Sequence, residues 1–243
     1  MYGTPSFAEA SAGKLFVVAT PIGNLEDITF RAVRILSEAD LIAAEDTRHT
    51  KILLAKYNIN TPMTSYHKFN IKAKTPHLIN FLKEGKNVAL VSDAGTPGIS
   101  DPGYEIIRES VNQGIRIEPV PGPSAAITAL AVSGLSTDRF VFEGFLPKKP
   151  GKKRKRLEEL KKETRTIIIY ESPFRVVRTL QDISDSMGDR QVAICRELTK
   201  KFEEIIRGKA GEVKEKLMKR GLKGEVVLVV EGSGQETQRE RVS

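Results

Sequence analysis

A rhythm of short apolar runs constrains this chain most. In the first half, Leu15–Ala19, Leu41–Ala44, Val88–Val91 and Ile115–Val120 are too short for helices and include β-branched residues. Runs of this length predict strands buried on both faces. Helical stretches separate them. One spans about Ile28 to Ser37. Another takes Asp101 as N-cap and Pro102 as its first helical residue, continues through Tyr104–Val111 and closes at Gly114. Strand–helix alternation with short loops predicts a parallel, doubly wound sheet.

Pro121-Gly122-Pro123-Ser124 breaks the rhythm, and Ala125–Val132 reads as a small-residue helix ending at Gly134. Beyond it, strands are expected at Phe140–Phe142, Thr166–Tyr170, Val192–Ile194 and Val226–Val230. An alternating edge strand is expected at Glu203–Gly208, and a helix at Lys152–Lys162. The expected fold class is α/β with two α/β domains: a mostly parallel sheet over residues 14–121 and a mixed sheet over 122–232. Polar tails are expected at 1–13 and 233–243.

The termini show no signal peptide pattern and no run approaches membrane-spanning length, so a cytoplasmic, non-membrane protein is expected. The single cysteine, Cys195, lies in an apolar run and reads as a buried, inert thiol. His49, His67 and His77 lack metal-ligand spacing, so no metal is expected.

Charge is unevenly placed. The net charge is +8, yet residues 1–123 balance 13 Lys/Arg against 13 Asp/Glu. Between Arg139 and Arg165 there are 11 basic and 4 acidic residues. Such a focus points to a polyanion partner, nucleic acid before membrane, because no aromatic-rich apolar face accompanies it. A solvated helix face is the plain alternative.

Ligands of open α/β sheets bind at the carboxyl ends of strands. The six that can be read here are followed by Thr20–Asn24, Glu45–Arg48, Ser92–Pro102, Pro121–Ser124, Glu171–Arg175 and Arg196–Lys200. All carry polar residues, glycine or proline. Neither a P-loop nor the Gly-x-Gly-x-x-Gly turn of dinucleotide folds is present. The glycines and prolines near Ala94–Gly103 could make only a tight turn leading into a helix, but the two aspartates, Asp93 and Asp101, and the hydroxyl residues beside them exceed what a turn needs. Tyr66–Asn70 mixes aromatic and cationic residues, a composition suited to RNA and equally to an exposed loop.

These residues carry a resemblance. Leu15–Thr29, Val91–Gly103, Glu45–Arg48, Ser65–Lys68, Pro121–Ala125 and Tyr170–Arg175 are similar to motifs of the tetrapyrrole methylase superfamily. The chain most resembles its bacterial branch that methylates a cytidine 2′-hydroxyl in 16S ribosomal RNA. The resemblance spans about Lys14 to Gly232. It implies S-adenosylmethionine as methyl donor, a cofactor cleft between the domains, a homodimer, and a decoding-centre cytidine of the small ribosomal subunit as target. Carried over by motif, the cofactor contacts are Pro21, Ser92, Asp93, Ala94, Gly95, Ile99, Ser100, Ser124, Ala125, Tyr170, Glu171, Leu198, Thr199, Gly224, Glu225 and Val226. Other branches methylate tetrapyrroles or diphthine precursors, so the fold alone does not choose the substrate. A small-molecule methyltransferase and a non-catalytic ribosome-assembly factor are the competing readings.

A ribose hydroxyl is a weak nucleophile that a general base can assist. The charged residues at strand ends offer Asp46, Asp93, His67 and Glu171 for that role. Arg48, Lys68 and Arg175 are candidate phosphate ligands, and Lys152, Lys153, Arg154 and Lys155 candidate ribosome-gripping residues.

Overall fold

The structure, a computed structural model, describes residues 12–234. The expected tails lie outside the described residues except at their inner ends. There, Gly13 donates to the Leu82 carbonyl and Ser233 to the Glu163 carbonyl, so both belong to folded units. The chain divides into two compact units after Ser124.

The first unit alternates β1 (Leu15–Val18), α1 (Phe30–Glu38), β2 (Leu41–Ala44), α2 (Thr47–Lys56), β3 (Met63–Ser65), α3 (Ile71–Lys83), β4 (Val88–Val91), α4 (Tyr104–Asn112) and β5 (Ile117–Val120). The sheet runs β3-β2-β4-β1-β5 and every pairing is parallel. Strand β4 shows why its sequence is apolar throughout. Ala89 and Val91 pack with Ile35, Leu36 and Leu54 of α1 and α2, whereas Val88 and Leu90 pack with Leu78, Leu82 and Ile106 of α3 and α4. Helices therefore cover both faces, and all five carboxyl ends share one edge. Thr29 caps α1, its hydroxyl accepting from the Ala32 amide at 3.0 Å.

One expected boundary is wrong. Helix α4 begins at Tyr104 with Gly103, not Asp101, as its N-cap residue. Asp101 and Pro102 instead turn the chain back, and the Pro102 carbonyl accepts from the Gly98 amide. Gly103 lies so close to Gly98 that a Cβ there would sit 2.9 Å from the Gly98 nitrogen.

The second unit comprises α5 (Ala125–Ser133), β6 (Phe140–Phe145), α6 (Pro150–Leu160), β7 (Thr166–Glu171), α7 (Val176–Met187), β8 (Gln191–Arg196), β9 (Glu204–Lys209), α8 (Ala210–Arg220) and β10 (Val226–Val230). Its sheet is mixed, ordered β6-β7-β10-β8-β9, with β6 and β7 parallel and every other pairing antiparallel. Val226, Leu228 and Val230 of central β10 face Leu157, Leu180, Ile183, Val213 and Leu217 from α6, α7 and α8. Helix α5 lies against β7, β8, β9 and β10. Cys195 is buried, and burial pushes its thiol up to about 11, as expected of an inert structural residue.

Candidate functional site

At the carboxyl edge of the first sheet, the loop after β4 is stitched to the end of β1. Thr20 and Gly95 exchange backbone hydrogen bonds of 2.9 and 3.0 Å, and the Thr20 hydroxyl donates to the Ser92 carbonyl at 3.1 Å. Gly95 has a φ of +79°, which opens the backbone without a side-chain penalty. Ser100 takes a φ of +63°, a left-handed conformation that non-glycine residues adopt at a cost. Ser92 and Pro21 are buried beneath the loop, whereas Ile99 and Ser100 stand exposed. Such a loop offers backbone groups and has few side chains that could block a ligand.

Three carboxylates gather beside it. The Asp46 amide donates to Asp93 Oδ1 at 3.0 Å, and the Asp93 amide to Glu45 Oε2 at 3.4 Å. Burial, then the charge of Asp93, raises Glu45 above the ordinary carboxylate range. Burial, then Glu45 and Asp93, raises Asp101 to about 6, despite a hydrogen bond with Ser92. Asp101 is thus a carboxyl that changes charge well above the ordinary carboxylate range. The sequence reading missed it by assigning it to helix capping.

Asp46 behaves oppositely. It caps α2 through the Arg48 amide and is gripped by the Arg48 guanidinium at 2.6 Å, which holds its carboxyl far below the usual range. So strongly ionised a carboxylate is a poor proton acceptor. Arg48 is correspondingly engaged. At the end of β3, Tyr66 is buried with its hydroxyl 2.9 Å from that of Thr75, so it is core and not a stacking surface. His67 Nδ1 is buried with no hydrogen-bond partner among the described residues. Phe69 is exposed, with Lys68 Nζ 4.8 Å above its ring.

In the second sheet, β10 begins between the ends of β7 and β8, with Val226 in register with Glu171 on one side and Arg196 on the other. That register gathers Tyr170, Glu171, Leu198, Thr199, Gly224, Glu225 and Val226 onto one edge. Here side chains set the geometry. Glu197 accepts from the Glu225 amide at 2.9 Å, and Lys200 spans Glu197 and Glu225. Gly224 has a φ of +91°, and a Cβ there would lie 2.4 Å from Glu197 Cδ. Thr199 holds a φ of +66°, strained for a β-branched residue. Leu198 and Val226 are buried, so what they can offer a ligand is backbone.

Glu171 is also buried. It accepts from Arg175 at 2.5 Å, from the Thr179 hydroxyl at 2.6 Å and from the Ser172 amide at 2.7 Å. A carboxylate so occupied organises the β7–α7 turn and is not open to a substrate hydroxyl. Nearby, Lys153 departs from its expected surface role. It is only 8% exposed, pairs with Asp182 at 2.5 Å and donates to Thr179 at 3.4 Å. Its α6 position faces α7, because Lys153, Leu157 and Leu160 share the buried stripe. Arg156 is likewise paired, to Glu143 at 2.6 and 2.7 Å, where β6 bulges. Lys148, Lys149, Lys152, Arg154 and Lys155 stay exposed. No group of three or more His, Cys, Asp or Glu residues suited to a metal occurs among the described residues.

The sequence profile of the tetrapyrrole (corrin/porphyrin) methylases matches residues 14–214. A ribosomal RNA small subunit methyltransferase I of Halalkalibacterium halodurans is 51% identical over 95% of this chain and 80% of its own. Its namesake from Thermotoga maritima is 52% identical over 90% of this chain and 99% of its own. Among solved structures, a cobalt precorrin-4 methyltransferase superposes with a TM-score of 0.66 at 20% identity, covering 90% of this chain and 94% of its own. A diphthine synthase superposes with a TM-score of 0.68 at 16% identity, covering 90% of each chain. The loop stitched at Thr20–Gly95, the parallel and mixed sheets, and sequence identity of about half to these relatives place the chain in the tetrapyrrole methylase family, in the branch of the ribosomal RNA small subunit methyltransferases I.

Proposed function

We propose that this protein transfers a methyl group from S-adenosylmethionine to the 2′-hydroxyl of a cytidine in the decoding centre of 16S ribosomal RNA, within the small subunit. The observation that carries the reading is about 50% identity to ribosomal RNA small subunit methyltransferases I over nearly the whole chain. The exposed cations of α6 and its leading loop favour an RNA acceptor over a tetrapyrrole.

Each sheet edge, taken by itself, suits the donor by its chemistry. A nucleoside joined to an amino acid needs many hydrogen bonds and few charges. The Ser92–Gly95 loop, the strained Ser100 and Thr199 backbones, and Gly224 offer that kind of surface. When bound, the donor supplies an electrophilic methyl group.

The protein's own residues would align the acceptor and manage its proton. Alignment alone can supply much of the rate. Among proton acceptors, the engagements of Asp46 and Glu171 speak against them, leaving Asp93, His67 and the newly recognised Asp101. Asp101, near 6, is largely ionised at neutral pH and still basic enough to take a proton. Arg48 and Arg175 serve here by fixing Asp46 and Glu171, and Lys68 remains available to phosphate. A homodimer acting in the cytoplasm completes the reading.

The test is reaction of the purified protein with S-adenosylmethionine and unmodified small subunits, followed by mass spectrometry of the RNA. One cytidine gains a methyl group and its 3′ linkage becomes alkali-resistant. A methyl group on a base, or none, contradicts the proposal.

A further inference from the structure

We infer that the adjoining ends of β6 and β7 form a stacking platform for an unpaired nucleotide, with Phe145 and Phe174 as its faces. The inference rests on the proposed RNA reading and adds which part of the RNA this surface takes.

Strands β6 and β7 are parallel, and Phe145 is in register with Tyr170, so their carboxyl ends lie side by side. Phe145 is 60% exposed, and Tyr170 braces it edge-on at 5.6 Å. Tyr170 in turn meets Phe142 edge-on at 5.0 Å. Phe145 therefore has one supported side and one open side. Phe174, in the turn after β7, is 93% exposed. That turn is held on both sides of it. Ser172 Oγ accepts from the Phe174 amide, the Ser172 carbonyl accepts from the Arg175 and Val176 amides, and Arg175 is locked to buried Glu171. A phenyl ring held in water on a fixed turn contributes nothing to the core. Together with exposed Phe145 at the adjoining strand end, it leaves two aromatic faces open to a ligand.

The cations identify the ligand. Lys148 and Lys149 follow Phe145 by three and four residues, and Lys152 and Lys155 lie in the first turns of α6. Buried Lys153 reaches Asp182 and Thr179 of α7, which fixes this half of α6 beside the helix that Arg175 leads into. Exposed aromatic faces flanked by phosphate-binding lysines are the composition that grips single strands, in which bases are free to stack. A duplex keeps its base faces covered. A second copy of this chain docking here about a two-fold axis would press the basic patch against itself.

The test is fluorescence anisotropy with a short single-stranded RNA, the same backbone made abasic, and a duplex. The wild-type protein should bind the base-bearing strand about tenfold more tightly than the other two. Phe174→Ala and Phe145→Ala should each remove most of that preference and leave abasic binding unchanged, and Phe174→Trp should keep it. Neutralising Lys148, Lys149, Lys152 and Lys155 together should weaken all three ligands alike. Equal binding of base-bearing and abasic strands by the wild type overturns the inference. So does retained preference in both alanine variants, or a shift to monomer in gel filtration as their only effect. Methylation of small subunits by the same preparation separates the two readings. If it proceeds while the stacking tests fail, only the platform falls. If it also fails, the RNA reading falls with it.

Discussion

The two sheet edges are built by different means. At the first, backbone does the work: the Thr20–Gly95 bridge, the glycines of the loop and the exposed Ser100 turn leave a surface with few side chains. At the second, charged side chains do it: Lys153–Asp182 joins α6 to α7, Glu171 at the end of β7 holds Arg175 and the Thr179 hydroxyl of α7, and Glu197–Lys200–Glu225 ties together the loops at the ends of β8 and β10. A backbone-built edge tolerates side-chain changes but not changes of backbone geometry. An edge built from buried charges fails when one partner is removed, because the other is left desolvated.

The largest expected effect follows from that contrast. Lys153→Met leaves Asp182 with its exposed partner Arg178 alone and should cost about 3 kcal/mol in denaturant unfolding, whereas Lys152→Met should cost less than about 0.5. Equal, small costs would remove Lys153 from the network. Leu228→Ala, in the centre of the second sheet, sets the scale of a pure packing loss at about 3 kcal/mol.

Next comes Gly103→Ala at the first edge. A Cβ there meets Gly98 backbone at 2.9 Å and demands a φ of +147°, so about 2 kcal/mol of stability should go, together with donor affinity by calorimetry. If affinity is unchanged while stability falls, the loop does not touch the donor.

The smaller effect is pH-dependent. Native Asp101 keeps its proton to about 6, while the unfolded chain releases it near the ordinary 3.8. Between those values the native state holds more protons, so this group lowers stability as pH rises from about 4 to about 6. Asp101→Asn should match wild type below that window and exceed it above by about 1 kcal/mol, discounted for partial solvent screening. The same variant should lose the rise in turnover across pH 6. A pH–rate profile identical to wild type would remove Asp101 as proton acceptor.

The contrast also explains what the sequence made legible. The backbone-built edge reads as motif, because glycine, proline and hydroxyl residues must sit at fixed positions after an apolar run. Strand β4 and its loop were accordingly plain. Strand β3 was not, because Met63–Ser65 is a short, half-buried edge strand with no apolar run, and α3 hides behind an internal Pro76. Charges read poorly for another reason. Lys152 and Lys153 are neighbours of one type, yet only the helical stripe shared with Leu157 and Leu160 turns Lys153 inward, toward an acid 29 residues away in sequence. Asp101 was read as a cap because Asp-Pro usually begins a helix. Burial raises it first, then Glu45 from the end of β2 and Asp93 from its own loop, which is a fold-level effect.

The central claim is methyl transfer to small-subunit RNA. It is tested most directly by incubating the protein with methyl-labelled S-adenosylmethionine and offering small ribosomal subunits and precorrin-type tetrapyrroles side by side. The account predicts label in the RNA of the small subunit and none in the tetrapyrrole. Label in the tetrapyrrole alone, or in neither acceptor despite measurable donor binding, would contradict it.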